Sequence, residues 1–128
     1  MSRRAVSVDV TTLGPYSPAI VAEGRFVFVS GQGPLRDGHY QPGRGVGDET
    51  RLTLENLFAI LAAAGCTPGD VIRCGVFLTD INDFDDMNAV YGAAFPDPPP
   101  ARTTVQVAAL PGGIRVEIDC VAVLPKST

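Results

Sequence analysis

The sequence predicts an α+β domain in which two helices cover one face of a mixed sheet. Three observations carry that reading. Two segments repeat apolar residues at helical spacing, six alternate apolar and polar residues as strands do, and Gly/Pro clusters punctuate the junctions. The predicted order is β-β-β-α-β-α-β-β, a six-stranded sheet in a single domain spanning residues 1–128.

Ala5–Val10 alternates like a first strand. Ala19–Ala22 and Phe26–Ser30 flank Glu23-Gly24-Arg25 and read as a hairpin. Gly31 to Glu49 is rich in glycine, with Pro34 and Pro42, and reads as loop. Leu54, Leu57, Phe58, Leu61 and Ala64 then recur at helical spacing, with Asp48 or Thr50 placed to cap the start and Gly65 to end the helix in a left-handed turn. Val71–Thr79 alternates, setting Ile72, Cys74, Val76 and Leu78 on one face. Phe84, Met87, Tyr91 and Phe95 mark a second helix, opened by Asp83, Asp85 and Asp86 and stopped by Pro96 and Pro98-Pro99-Pro100. Thr103–Ala108 and Ile114–Val123 are the last strands, joined through Pro111-Gly112-Gly113 as a hairpin. Val27 and Val29 alternate with Phe26 and Phe28, and Val121 and Val123 fall on the polar face of the last strand. Apolar residues on both faces of a sheet with helices on one side predict an oligomer.

Composition excludes several function classes. A length of 128 residues with 45% hydrophobic residues suffices for one core without disulfide or metal. The net charge of −4 argues against nucleic acid as a partner. No apolar run is long enough to span a membrane, and Met1-Ser2-Arg3-Arg4-Ala5 lacks the apolar segment of a signal peptide. The three cysteines, Cys66, Cys74 and Cys120, form no CxxC pair and read as free thiols of a cytoplasmic protein. The single histidine, His39, has no cysteine near it in sequence, so a Cys–His nucleophile is not favoured. Gly43–Gly47 lacks the lysine and strand-to-helix context of a phosphate loop, and Asp80–Asp86 lacks the glycine of a calcium loop.

Five places can carry chemistry. Arg102 follows Pro100-Ala101, a stiff lead-in that either aims the guanidinium at a planar carboxylate or leaves it at a strand edge in solvent. Glu117 lies on the face opposite Ile114, Val116 and Ile118. The loop length sets it near Thr104 across the hairpin, and Arg102 and Thr104 share a face, so the three converge. There Glu117 either holds a water as general base or pairs with Arg115 or Arg102. Gly14-Pro15-Tyr16-Ser17-Pro18 presents a tyrosine on a tight turn, and Ser30-Gly31-Gln32-Gly33 permits close approach of a ligand, though both also fit ordinary turn chemistry. Asn88 lies near the apolar face of the second helix and needs a backbone or ligand partner.

In their order and spacing, Gly14-Pro15-Tyr16-Ser17-x-Ala19, Ser30-Gly31-Gln32, Asn56-Leu57, Ala64-Gly65, Val76-x-Leu78-x-Asp80, Asp83-Phe84, Asn88-x-x-Tyr91, Phe95, Pro100-Ala101-Arg102, Leu110-Pro111 and Val116-Glu117-Ile118 resemble the Rid family (reactive intermediate deaminases, also called YjgF) over nearly the whole chain. The resemblance implies a chorismate-mutase-like fold and a homotrimer with a barrel core and ligand clefts between subunits. It implies hydrolysis of 2-aminoacrylate or 2-iminobutyrate to the 2-keto acid and ammonia, without metal or redox cofactor. Arg102 then binds the substrate carboxylate, Glu117 positions the attacking water, and Tyr16, Ser30, Gly31, Asn88 and Thr104 line the cleft. Thr104 stands where the archetype has cysteine, and Pro18 where glutamine is common. The alternative is a regulatory trimer of the same fold that binds a small molecule without turnover.

Overall fold

The computed structural model describes residues 3–126. The strands are β1 (Arg3–Ala5), β2 (Ile20–Ala22), β3 (Phe26–Gln32), β4 (Leu35–Arg36), β5 (His39–Tyr40), β6 (Val71–Leu78), β7 (Ala101–Gln106) and β8 (Val116–Val123). The helices are α1 (Val46–Ala63) and α2 (Phe84–Ala94). The α+β class and the two helices are as expected. The single six-stranded sheet is not: a four-stranded mixed sheet, order β3-β8-β6-β7, is accompanied by two separate ribbons, β1-β2 and β4-β5.

β6 occupies the interior of the sheet because its run of Val71, Cys74, Val76 and Leu78 is buried throughout. From its end the chain crosses through α2 and returns as β7, parallel to β6. β8 takes the other side of β6, antiparallel. Leu54, Leu57 and Leu61 of α1 and Met87 and Tyr91 of α2 pack with Cys74, Val76, Leu78, Val116, Ile118 and Cys120 in one core. The three cysteines are free and buried. The opposite face is open and mixed: Phe28 is 78% exposed there, beside polar groups such as Arg73, Glu117 and Asp119.

Several expectations about strands are corrected. The first strand is Arg3–Ala5 rather than Ala5–Val10, and Val8 and Val10 are exposed. Ile20–Ala22 and Phe26–Gln32 do not pair as a hairpin. β2 pairs with β1, while the longer β3 finds a partner of matching length in β8, burying Val29 opposite Cys120. Val123 keeps the face of Val121 and Phe26, as expected, but is buried there, where it meets Gly24. The final strand begins at Val116, since residues 111–113 form a helical turn.

The glycine-rich segment holds more structure than a loop. Asp37 and Gly38 both have positive φ, 51° and 77°, as a two-residue hairpin requires, and join β4 to β5. α1 already begins at Val46 behind Gly45, so neither Asp48 nor Thr50 caps it. Asp48 pairs with Arg51 at 2.7 Å, and the Thr50 hydroxyl donates to the Val46 carbonyl at 2.6 Å inside the helix. Gly65, φ 91°, closes α1 in the left-handed conformation as expected. No helix among the described residues is long and apolar enough to cross a membrane.

Candidate functional site

Arg102 lies on β7, at an edge of the sheet, on the helix-covered face opposite Cys74. The polyproline lead-in is tied down by Ser17, whose hydroxyl donates to the Pro99 carbonyl and whose N–H donates to the Pro100 carbonyl at 3.1 Å. That anchor brings the Gly14–Tyr16 turn over the guanidinium. Three rings surround the guanidinium carbon, at 4.9 Å (Tyr16), 4.8 Å (Tyr91) and 5.6 Å (Phe84) from their centroids. Gly14 permits a close approach here: a methyl group on it would stand 3.1 Å from both Arg102 Nη2 and Asn88 Nδ2.

Among the described residues no carboxylate balances this cation. Nε, Nη1 and Nη2 of Arg102 are all buried without a hydrogen-bond partner among the described residues, and so are Asn88 Oδ1, Thr104 Oγ1 and Tyr91 OH. Burial pulls the Arg102 pKa down, and the nearby Tyr91, Tyr16 and Cys74 act in the opposite direction. Burial pushes Tyr91 up, and pushes the Cys74 thiol up to about 12. A buried guanidinium lacking an acid is costly unless an anion meets it. Tyr16 and Asn88 are therefore brought to the Arg102 guanidinium, and Thr104 lies two residues further along the same strand face.

The edge of β7 adds backbone groups. Val107 N–H donates to Leu78 O at 2.8 Å, so the odd-numbered residues of this parallel ladder turn toward β6. The N–H and C=O groups of Arg102 and Thr104 then turn to the outer edge. Ser17 covers that edge at Ala101.

The other expected residues stand elsewhere. Ser30 and Gly31 are on β3, at the opposite edge of the sheet, and Glu117 is on β8. Glu117 faces the open side: a methyl group on Gly31 would lie 2.5 Å from its Oε2. Thr104 and Glu117 are not cross-strand neighbours, because both pair with β6, which runs between them: Thr104 sits opposite Val76 and Glu117 opposite Phe77. The expected convergence with Arg102 therefore fails within one chain. It rested on a β7–β8 hairpin that the crossover through α2 replaces. Glu117 is paired with neither arginine, since Arg115 bridges Asp83 at 3.0 Å and Arg102 has no partner.

Tyr91 and Phe84 were read from sequence only as the apolar stripe of a helix, yet their rings wall the guanidinium. The usable signal was an unpaired arginine required to pack near an aromatic helix face. Glu49 was also missed; it is fully buried and accepts the Arg115 N–H at 2.6 Å.

The fold is α+β, and its site is a buried arginine without an acid partner among the described residues, a chemistry that suits a small anion. The comparisons specify the class further. The family described as Endoribonuclease L-PSP matches residues 7–124. Protein DfrA of Myxococcus xanthus is 46% identical over 127 residues, 96% of this chain and 97% of that protein. A mouse protein named 2-iminobutanoate/2-iminopropanoate deaminase is 45% identical over 113 residues, 87% of this chain and 82% of that protein. The crystal structure of YyfB from Yersinia pestis, described as of the conserved Rid protein family, superimposes with a TM-score of 0.83 at 28% identity, covering 97% of this chain and 100% of that one. The chain belongs to the Rid (YjgF) family.

Proposed function

We propose that this protein hydrolyses reactive 2-imino and 2-enamino acids, of the 2-aminoacrylate and 2-iminobutyrate type, to 2-keto acids and ammonia. The observation that carries the reading is the Arg102 guanidinium, buried in a cage of Tyr16, Tyr91 and Phe84 with no nitrogen partnered. A substrate carboxylate supplies the missing counter-charge and matches the planar fork in two parallel hydrogen bonds. Asn88 Oδ1, a buried acceptor beside it, suits the N–H of the imine. The names of mammalian relatives about 45% identical, 2-iminobutanoate/2-iminopropanoate deaminase, support the same chemistry.

An imine conjugated to a carboxylate is already electrophilic. Holding it on Arg102 and a water on Glu117 supplies proximity and proton transfer, with no metal or redox group required by the reaction. Because Glu117, Ser30 and Gly31 face away from Arg102, one chain holds two half-sites. A homotrimer whose open faces meet joins the Arg102 half of one subunit to the Glu117 half of the next and covers Phe26 and Phe28. The test is release of ammonia and 2-keto acid from freshly generated 2-aminoacrylate and 2-iminobutyrate. Release above the uncatalysed rate is expected; a rate equal to the blank overturns the proposal.

A further inference from the structure

Thr104 contributes an oddity that carboxylate binding leaves unexplained. Its hydroxyl is buried and has no partner among the described residues, two residues along the strand face from Arg102. A threonine hydroxyl normally rotates to reach a carbonyl, so one left without an acceptor is a destabilising feature that the fold alone does not require. The core faces of β6 and β8 at this level are apolar: Val76 and Ile118 oppose each other there. Valine has the shape of threonine and would leave no orphan. The Thr104 backbone also turns its N–H and C=O to the uncovered edge of β7. A small acid seated on Arg102 places its C2 carbon and nitrogen within the same few ångströms of strand edge.

We propose that the Thr104 hydroxyl is a catalytic residue that contacts the imine nitrogen and relays the proton of the attacking water to it. This rests on the deaminase reading above and adds a step to it. The oxygen of the water held by Glu117 of the facing subunit bonds to C2 as the C=N electron pair moves to nitrogen. One water proton passes to Thr104 Oγ1 while the Oγ1 proton passes to nitrogen, so the hydroxyl ends neutral and the product is a carbinolamine. Glu117 of the facing subunit then takes the carbinolamine hydroxyl proton and returns it to nitrogen. The C–N bond breaks with its electron pair leaving on nitrogen, the C2 carbonyl forms, and ammonia departs. A hydroxyl suits the relay because it donates and accepts at once.

The experiment measures 2-iminobutyrate hydrolysis, with the imine generated in situ by an amino acid oxidase, for wild type, Thr104→Val, Thr104→Ser and Arg102→Ala, with a melting curve for each. Thr104→Val is expected to lower kcat by about 10- to 100-fold. Its KM should stay within about twofold, since the carboxylate still rests on Arg102. Its melting temperature should be unchanged or higher, because an unpartnered buried hydroxyl is removed. Thr104→Ser should recover most of the lost rate. A wild-type kcat in Thr104→Val, a serine variant no better than valine, or a fall in melting temperature matching the loss of rate overturns the relay and leaves the deaminase reading standing. No turnover in wild type overturns both. Loss in Arg102→Ala alone places the chemistry at the carboxylate fork without Thr104.

Discussion

Arg102 and Glu117 stand on opposite faces of one sheet, on strands separated by β6. Arg102 points into the layer beneath α2, and Glu117 lies against Gly31 on the open face. A mechanism that uses both needs two chains, and that requirement can be tested directly.

Arg102→Ala and Glu117→Gln should each be strongly impaired alone and complement each other when refolded together. A shared site takes Arg102 from the glutamine variant and Glu117 from the alanine variant. Random mixing restores about a quarter of the sites. Light scattering should report about 40 kDa for three chains of 13.4 kDa. A monomer in dilute buffer, or no activity from the mixture, removes the shared site.

Arg102→Ala should lose about 30- to several-thousand-fold in kcat/KM, the equivalent of roughly 2–5 kcal/mol for leaving a buried carboxylate unpaired. Arg102→Lys should recover little, because an ammonium cannot form the paired bonds of the fork. Stability should move the other way: Arg102→Met fills the aromatic cage without a buried unpaired charge and should not lower the melting temperature. Unfolding of the methionine variant would make Arg102 a structural residue.

Glu117→Gln should retain ligand binding and slow turnover by about 10²–10⁴-fold. Gly31→Ala should act through the same carboxylate, since its methyl group would lie 2.5 Å from Oε2 and push Glu117 aside. A displacement of about 1 Å costs on the order of 10²-fold in rate. Kinetics on the two single variants and the double variant decide it: the double should be little worse than Glu117→Gln, and additive losses would separate Gly31 from Glu117.

Alkali should unfold the protein early. Burial raises the Cys74 and Cys120 thiols from 9.0 to about 12, so between those values the unfolded chain has lost protons that the folded chain keeps. Stability falls with pH wherever the native state binds more protons. The thiol contribution is whole below pH 9.0 and is lost as pH rises toward about 12, at about 1.4 kcal/mol per pH unit for each thiol. Urea midpoints between pH 8 and 11 check it. Cys120→Ala should flatten the slope, and an unchanged slope would mean the thiols titrate elsewhere.

Local order was legible in the sequence wherever one short stretch contained its own cause. The stripe Leu54, Leu57, Leu61 determined α1, Gly65 its left-handed end, and Met87 with Tyr91 the buried face of α2. The Asp37-Gly38 hairpin was equally local, and the dipeptide that encodes it was passed over within the glycine-rich segment. Arg102 and Thr104 were readable as sharing one strand face, and Tyr16 and Asn88 do come to the Arg102 guanidinium, but Glu117, Ser30 and Gly31 do not join them within one chain.

Pairing between distant strands was not legible, because period-2 alternation states which residues share a face and not which strand lies beside them. The chain between Gln106 and Val116 reads as a hairpin link, yet it carries the chain past β6, and that choice sets Thr104 two strands from Glu117. The sequence by itself determined the two helices, the inward faces of the long strands and the candidate groups Arg102 and Glu117. Only the tertiary structure decided that those groups form two half-sites on opposite faces, because the partner of β7 is settled by the burial of Val71–Leu78 between two neighbours and by the crossover through α2, neither of which any local stretch contains.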